Sequence, residues 1–240
     1  MTRILCVRLS AMGDLVQSLG AVQALHAARP ELELAFVTQR ENVPLLEGMP
    51  GIQHVVAHDR RGGLSAWLRT RRELRALGCD VALDLQGNFK SAACAFVSGA
   101  RDRIGAAAPF RQEPMSRVLL TRTVPCSGPV HPGAVALALV QTIAPHATAR
   151  PPQLVATAAE IAAAAAAVRR AGVDPARPFT VLVLGRADDP RSLQECAIRA
   201  EQARGGPLLL LAGPAESDVP VPQSVPVWRQ ARGRSEEHTS

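Results

Sequence analysis

Short apolar runs and longer amphipathic segments alternate along the first 144 residues of the chain. The apolar runs predict β-strands, and the segments between them carry apolar residues at helical spacing. The predicted strands are Arg3–Leu9, Leu32–Thr38, Gln53–His58, Val81–Leu85, Arg103–Gly105 and Val118–Val124. The predicted helices are Asp14–Ala28, a short one near Glu41–Glu47, Leu64–Leu77, Asn88–Ser98 and His131–Ile143. This alternation predicts an α/β fold in which helices cover both faces of a parallel sheet.

A Pro-rich stretch over residues 145–156 interrupts the alternation and is typical of a linker. We therefore predict an N-terminal domain over 1–144 and a second α/β domain over 157–233. A capping box formed by Thr157 and Glu160 begins the second domain with a helix that continues through an alanine tract. The other elements predicted there are strands at 179–184 and 207–212 and a helix at 193–203.

The first strand, turn and helix have the geometry that α/β proteins use to bind anions. The backbone N–H groups of a tight turn, here Ser10–Gly13, and the dipole of the following helix both favour negative charge. In this chain the helix opens with Asp14, whose carboxylate would repel a phosphate at the same place. We therefore interpret the turn as the site of a general base. The structural alternative is that Asp14 is only the helix N-cap, a position that aspartate favours.

Two polar segments follow strands of the predicted sheet. Ser10–Asp14 follows the first strand, and Gln86–Ser91 follows the fourth. Because ligands of parallel α/β sheets bind at the carboxyl ends of the strands, we expect these segments to face one crevice. Arg60 and Arg61 follow the third strand and would open toward the same side.

Composition narrows the range of partners. The chain has a formal net charge of +6, and Lys90 is its only lysine. Guanidinium groups bind phosphates and carboxylates bidentately, so the chain suits acidic partners, and no nucleic-acid-binding motif accompanies the charge. The five cysteines include no CxxC pair, which predicts reduced thiols. We expect no obligatory metal, no signal peptide and no membrane-spanning segment.

Two segments resemble the signatures of one enzyme family. They are Val7–Val16, with the sequence VRLSAMGDLV, and Asp84–Ser91, with the sequence DLQGNFKS. In this order they resemble the motifs of the ADP-heptose:lipopolysaccharide heptosyltransferases, glycosyltransferase family 9. The resemblance implies a GT-B-like fold of two facing Rossmann-like domains. It also implies an inverting glycosyltransferase that moves a heptose from ADP-heptose to the lipopolysaccharide inner core.

The resemblance assigns roles to particular residues. It implies that Asp14 is the catalytic base, which accepts the proton of the acceptor hydroxyl as that oxygen attacks the anomeric carbon. It implies substrate contacts from Ser10, Gly13, Arg60, Arg61, Gly87, Lys90 and Ser91. The family places a donor-binding lysine after the strand at 179–184, where this chain has Arg186 and Arg191 as replacements. The neighbouring Asp188 and Asp189 would oppose a diphosphate.

The implied partners are ADP-heptose, a lipid-linked acidic sugar acceptor and, peripherally, the cytoplasmic face of the inner membrane, with no cofactor and no nucleic acid. The last seven residues, 234–240, resemble a translated sequencing adapter. The family's glycine- and histidine-containing donor segment is not found before them. We therefore expect an incomplete second domain, and no transfer by the 240 residues alone.

Two other functions stay open at this stage. One is a catalytically inactive homologue that binds a glycolipid, which the missing donor lysine favours. The other is a nucleotide-binding Rossmann protein, which would require G-x-G-x-x-G after the first strand and an acid at the end of the second. The turn offers Gly13 alone, and the second strand ends with Thr38-Gln39-Arg40-Glu41.

Overall fold

The structure is a computed structural model that describes residues 2–128, 130–184, 198–199, 205–212 and 227–229. Its internal contacts divide the chain into two compact units, Met1–Val155 and Ala156–Ser240. The predicted α/β alternation of the first unit is confirmed. Its strands are β1 (Arg3–Val7), β2 (Glu33–Gln39), β3 (Ile52–His58), β4 (Val81–Asp84), β5 (Asp102–Ala106) and β6 (Arg122–Val124). Its α-helices are α1 (Met12–Ala28), α2 (Gly63–Leu77), α3 (Phe89–Val97) and α4 (Pro132–Val140).

The six strands of the first unit form one parallel sheet in the order β3-β2-β1-β4-β5-β6. The central neighbours β1 and β4 pair in register, with Val7 opposite Asp84. From these two strands the chain winds outward in opposite directions. The carboxyl ends of β1 and β4 therefore meet at the switch point where doubly wound sheets bind their ligands.

Both faces of the sheet are buried, which explains why β1 is apolar at successive positions. Ile4 and Cys6 pack into the cluster that includes α1 and α4. Leu5 and Val7 point to the opposite face and pack with α2 and α3. The side chains alternate between the faces because a strand has a period of two residues.

The strand predicted over Val118–Val124 is wrong in its first half. A 3-10 helix covers Pro114–Leu119, and only Arg122–Val124 pairs with β5. Proline fixes a helical φ at the start of this turn and has no N–H to leave unsatisfied. The Ser116 hydroxyl also donates to the Glu113 carbonyl at 2.6 Å, which supports the turn.

Two other predicted elements have different bounds or geometry. The short helix near Glu41–Glu47 is a 3-10 helix over Arg40–Leu45, with Pro44 inside it. The helix predicted to open at Asp14 begins two residues earlier, at Met12. Its first turn therefore includes the second half of the predicted tight turn.

The second unit contains a capped helix and a small parallel sheet. Helix α5 (Ala158–Arg170) begins with the predicted capping box, in which the Thr157 hydroxyl accepts from the Glu160 N–H and Glu160 accepts from the Thr157 N–H. The strands β7 (Thr180–Leu184), β8 (Leu208–Ala212) and β9 (Val227–Arg229) pair in that order. The helix predicted at 193–203 lies largely outside the described residues.

The cysteines that the structure describes are free thiols, as predicted. Cys6, Cys79 and Cys94 are buried and Cys126 is half-buried. Burial raises the pKa of both the Cys6 and the Cys94 thiol to about 12. Among the helices of the described residues, none has the length and apolar character needed to cross a bilayer.

Candidate functional site

A cavity of about 280 Å³ lies at the carboxyl ends of β1, β4 and β5. Strand ends supply its floor, and the first turns of α1 and α4 supply parts of its wall. The lining residues are Arg8, Asp14, Asp84, Leu85, Gln86, Gly87, Ala106, Phe110, Gln112, Val130, His131, Pro132 and Val135. The cavity thus occupies the switch point that the sheet order defines.

Asp14 lines this cavity and is held by a buried arginine. Arg8 donates from Nη2 to Asp14 Oδ2 at 2.5 Å and from Nη1 to the Leu85 carbonyl at 2.5 Å. The Asp14 side chain is 36% exposed, and its Oδ1 has no hydrogen-bond partner among the described residues. The N-cap of α1 is Ala11, so the alternative that Asp14 caps the helix is wrong. One carboxylate oxygen is therefore fixed while the other is left for a ligand.

Arg8 contacts the carboxylate of Asp14 and is influenced by the charge of Asp84. Burial lowers the pKa of its guanidinium, and the negative charges of Asp14 and Asp84 raise it. The Nε of Arg8 is buried and has no partner among the residues that the structure describes. Its position is therefore set by the Leu85 carbonyl and by Asp14, which keeps positive charge at the base of the cavity.

Gln86 joins the two predicted motifs. Its Oε1 accepts from the Leu9 N–H at 2.8 Å and from the Ser10 N–H at 3.3 Å, and its Nε2 donates to the Ser10 hydroxyl at 3.3 Å. Gly87 follows with a φ of +82°, which glycine adopts without strain, and lines the cavity with Asp14. The expectation that both segments face one crevice is confirmed.

Asp84 organises the turn after β4. Its Oδ1 accepts from the N–H groups of Gln86 at 3.2 Å and Gly87 at 2.9 Å, and its Oδ2 accepts from both Nη atoms of Arg111. Burial raises the pKa of the Asp84 carboxyl, and the Arg111 guanidinium acts in the opposite direction. Both carboxylate oxygens of Asp84 therefore accept hydrogen bonds from groups of the fold, and Asp84 has a structural role in positioning the turn.

Known proteins share parts of this sequence and this fold. No family model matches the chain. The lipopolysaccharide core heptosyltransferase OpsX of Haemophilus influenzae is 28% identical over 102 residues, which are 42% of this chain and 29% of that protein. The glycosyl transferase family 9 structure from Veillonella parvula has a TM-score of 0.75 and 14% identity, covering 90% of this chain and 64% of that one. The E. coli ADP-heptose lipopolysaccharide heptosyltransferase II has a TM-score of 0.63 and 20% identity, covering 90% and 66%.

The chain is similar in part of its sequence to a curated heptosyltransferase and in its fold to structures of glycosyltransferase family 9 and heptosyltransferase II. These matches support the resemblance predicted from the two short motifs, and the GT-B-like α/β fold is confirmed. The chain matches 29% of the length of the curated relative and 64% of the Veillonella structure.

Several residues that the family resemblance marked as substrate contacts lie outside the described cavity. Gly13 is exposed in the first turn of α1, and Lys90 is exposed near the start of α3. Arg60 and Arg61 are exposed in the turn after β3, the edge strand two places from β1. The structure brings Asp14 and Gly87 to the cavity but not these four residues.

Ser10 and Ser91 have partners within the fold. The Ser10 hydroxyl accepts from Gln86 and is half-buried. Ser91 is buried, donates its N–H to Asn88 Oδ1 at 2.9 Å and accepts from the Asn88 N–H at 3.1 Å. These two hydrogen bonds form the capping box that begins α3, so Ser91 has a structural role. The predicted donor residues Arg186 and Arg191 lie outside the described residues.

His131, the first residue of the helix predicted over His131–Ile143, caps α4 and also lines the cavity. Its Nδ1 accepts from the Gly133 N–H at 3.2 Å, which leaves the proton of the neutral ring on Nε2. A Cβ at Gly133 would lie 2.8 Å from the Gln17 carbonyl oxygen of α1. Glycine at this position therefore allows the start of α4 to approach the helix that carries Asp14.

Proposed function

We propose that the chain contributes the acceptor-binding, base-carrying part of an inverting glycosyltransferase that moves a heptose from ADP-heptose to the lipopolysaccharide inner core. The observation that carries this proposal is the position of Asp14 in the cavity, with Oδ2 held by Arg8. The printed names of the relatives support the reaction class, since one is a lipopolysaccharide core heptosyltransferase and another an ADP-heptose lipopolysaccharide heptosyltransferase.

In the proposed reaction Asp14 Oδ1 accepts the proton of an acceptor hydroxyl. A sugar hydroxyl is too weak an acid to be ionised beforehand by a carboxylate, so the proton moves while the oxygen bonds to the anomeric carbon. The bond from that carbon to the ADP oxygen breaks at the same time, and the electron pair leaves with ADP. Attack opposite the leaving group inverts the configuration. Arg8 contributes by holding the carboxylate in one orientation.

We assign the other candidate residues to contacts with the acceptor or with the donor diphosphate. His131 Nε2 can donate to an acceptor oxygen in the cavity. Arg60, Arg61 and Lys90 are exposed and would bind acidic groups of an acceptor that extends beyond the cavity. We assign Gly13 and Ser10 to the turn beside the reacting hydroxyl, and Arg186 and Arg191 to the donor diphosphate.

The proposed partners are the ADP-heptose donor and a lipid-linked acidic acceptor, and the proposed location is the cytoplasmic face of the inner membrane. Support for the acceptor comes from the relative that acts on lipopolysaccharide core. The donor is the one in the printed name of the E. coli enzyme. No cofactor enters the proposed reaction.

The test separates acceptor binding, donor binding and transfer. Titration calorimetry of the 240-residue chain with deacylated inner-core acceptor should show binding, and a version extended through the family's donor half should bind ADP-heptose and transfer the sugar. Acceptor binding without transfer by the extended version would identify a glycolipid-binding homologue. Binding of NADH instead of either substrate would identify a nucleotide-binding Rossmann protein.

A further inference from the structure

The outward side of α2 combines exposed leucines with arginines. Leu64 and Leu68 are 76% and 55% exposed, while Leu74 of the same helix is buried beneath it. Positions 64, 68, 71 and 75 follow one another at spacings of four, three and four residues. Leu64, Leu68, Arg71 and Arg75 therefore lie along one side of the helix, which we name the α2 stripe.

The chain around the α2 stripe is strongly basic. Six arginines occur between residues 60 and 75 against one acid, Glu73. Arg71 and Arg72 are exposed, and within the described part of the chain they have no ion-pair partner. Arg75 Nε donates to the Val97 carbonyl at 3.2 Å, so the far end of the stripe borders the end of α3.

We propose that the α2 stripe docks the protein on the surface of an anionic lipid bilayer. Arginines next to such a surface are attracted by its negative potential, and leucines on the same helix side can enter the boundary between headgroups and acyl chains. A nucleic acid would satisfy the arginines but not the leucines. A second copy of the chain, packed symmetrically, would place arginine against arginine.

The α2 stripe starts near the carboxyl ends of the strands, where the cavity also lies. Helix α2 begins at Gly63, after a short turn that contains Arg60 and Arg61 and follows the carboxyl end of β3. All six strands are parallel, so the carboxyl end of β3 lies on the same side of the sheet as the carboxyl ends of β1 and β4. The inference rests on the proposed function in one respect, because a lipid-linked acceptor would have to reach the cavity from the membrane.

Vesicle partition of the 240-residue chain tests the proposal. The chain should bind vesicles of phosphatidylcholine mixed with phosphatidylglycerol and should bind poorly to phosphatidylcholine alone. The double variant Arg71→Gln/Arg72→Gln removes one arginine of the stripe and its exposed neighbour. It should weaken partition about 25-fold, because each arginine contributes about fivefold. The double variant Leu64→Ser/Leu68→Ser should weaken it about 10-fold or more, because exposed leucine area no longer leaves water.

Matched controls change the same residue types elsewhere. Arg169→Gln/Arg170→Gln removes two exposed charges at the end of α5, and Ile161→Ser removes an exposed apolar side chain from that helix. Both should retain partition, and circular dichroism should show that all variants fold. Equal binding to neutral vesicles, or equal losses in the control variants, would overturn the proposal. The assay contains neither donor nor acceptor sugar, so its failure is distinct from a failure of the proposed transfer.

Discussion

Asp84 and Arg111 form an ion pair in which the two side chains are 0% and 1% exposed. Arg111 donates to Asp84 Oδ2 from Nη1 at 3.0 Å and from Nη2 at 2.5 Å. The other oxygen of Asp84 accepts the backbone N–H groups of Gln86 and Gly87. This pair therefore fixes the turn that presents Gly87 to the cavity, and its loss should affect both stability and the site.

Replacement of Arg111 by methionine should lower the free energy of unfolding of the first unit by about 3–5 kcal/mol at neutral pH, because a buried carboxylate loses its partner. Burial raises the pKa of Asp84 in the folded state. A carboxyl group with a raised folded-state pKa favours folding when protonated and loses that contribution as pH rises through the folded-state pKa. The deficit of Arg111→Met should therefore shrink as pH falls. Urea unfolding across acidic to neutral pH measures it.

The control for this prediction removes the charge at both positions. Asp84→Asn/Arg111→Met should recover part of the lost stability and should show a weaker pH dependence than Arg111→Met. Loss of the exposed pair between Asp102 and Arg122 through Arg122→Met should cost less than about 1 kcal/mol. A deficit of Arg111→Met that stays constant from acidic to neutral pH would show that Asp84 is not the source of the cost.

The link between Gln86 and the turn after β1 gives a second prediction. Gln86→Leu leaves the buried Leu9 N–H without its acceptor at 2.8 Å, which should cost about 1–3 kcal/mol. It also releases Ser10, so the turn before Asp14 should become less well fixed. We expect weaker acceptor binding in calorimetry as well as a lower urea midpoint.

A comparison variant separates the local effect of Gln86 from general destabilisation. Gln141→Leu removes one half-buried hydrogen bond, to the Ala147 carbonyl, at a distance from the lining of the cavity. It should lower the midpoint without weakening acceptor binding. If both glutamine variants reduce acceptor affinity equally, the role assigned to Gln86 as a link between the motifs is wrong.

The apolar periodicity predicted the layered α/β fold, and the polar segments after the first and fourth strands predicted the crevice. Both predictions depend on short stretches of sequence. The partners of the acids at the site could not be found in this way. Arg111 is 27 residues from Asp84 and lies in a segment where the strand and helix pattern is weak. A buried partner for Arg8 could have been predicted, because a charged residue at the end of an apolar strand must either be exposed or pair with another group.

The substrate-contact residues show a second limit of sequence reasoning. A motif places residues close together along the chain, but a helix distributes them over different sides. Ser91 therefore turns into the fold while Lys90, one position earlier, is exposed. The phase of α3 decides which of these two side chains is buried, and that phase follows from where Asn88 caps the helix.

The central prediction for the proposed reaction concerns Asp14. In a version extended through the donor half, Asp14→Asn should lower the transfer rate by about 10²–10⁴-fold, the usual contribution of a general base, while acceptor binding persists. Asp102→Asn is a matched control, because Asp102 is also 36% exposed and also pairs with an arginine. It should leave the transfer rate unchanged. Turnover of Asp14→Asn within a few-fold of the unaltered protein would exclude Asp14 as the base.

His131 caps α4, and we proposed that it also donates to the acceptor, so substitution can separate the two roles. Asparagine is a good N-cap but does not extend to the position of the histidine Nε2, whereas alanine removes both the cap and the donor. His131→Asn should therefore keep the stability of α4, and His131→Ala should lose about 1 kcal/mol. Both variants should weaken acceptor binding about 5- to 10-fold, the usual value of one net hydrogen bond. If His131→Asn binds acceptor as tightly as the unaltered chain in calorimetry, then the ring serves α4 alone, and the contact proposed between His131 and the acceptor is wrong.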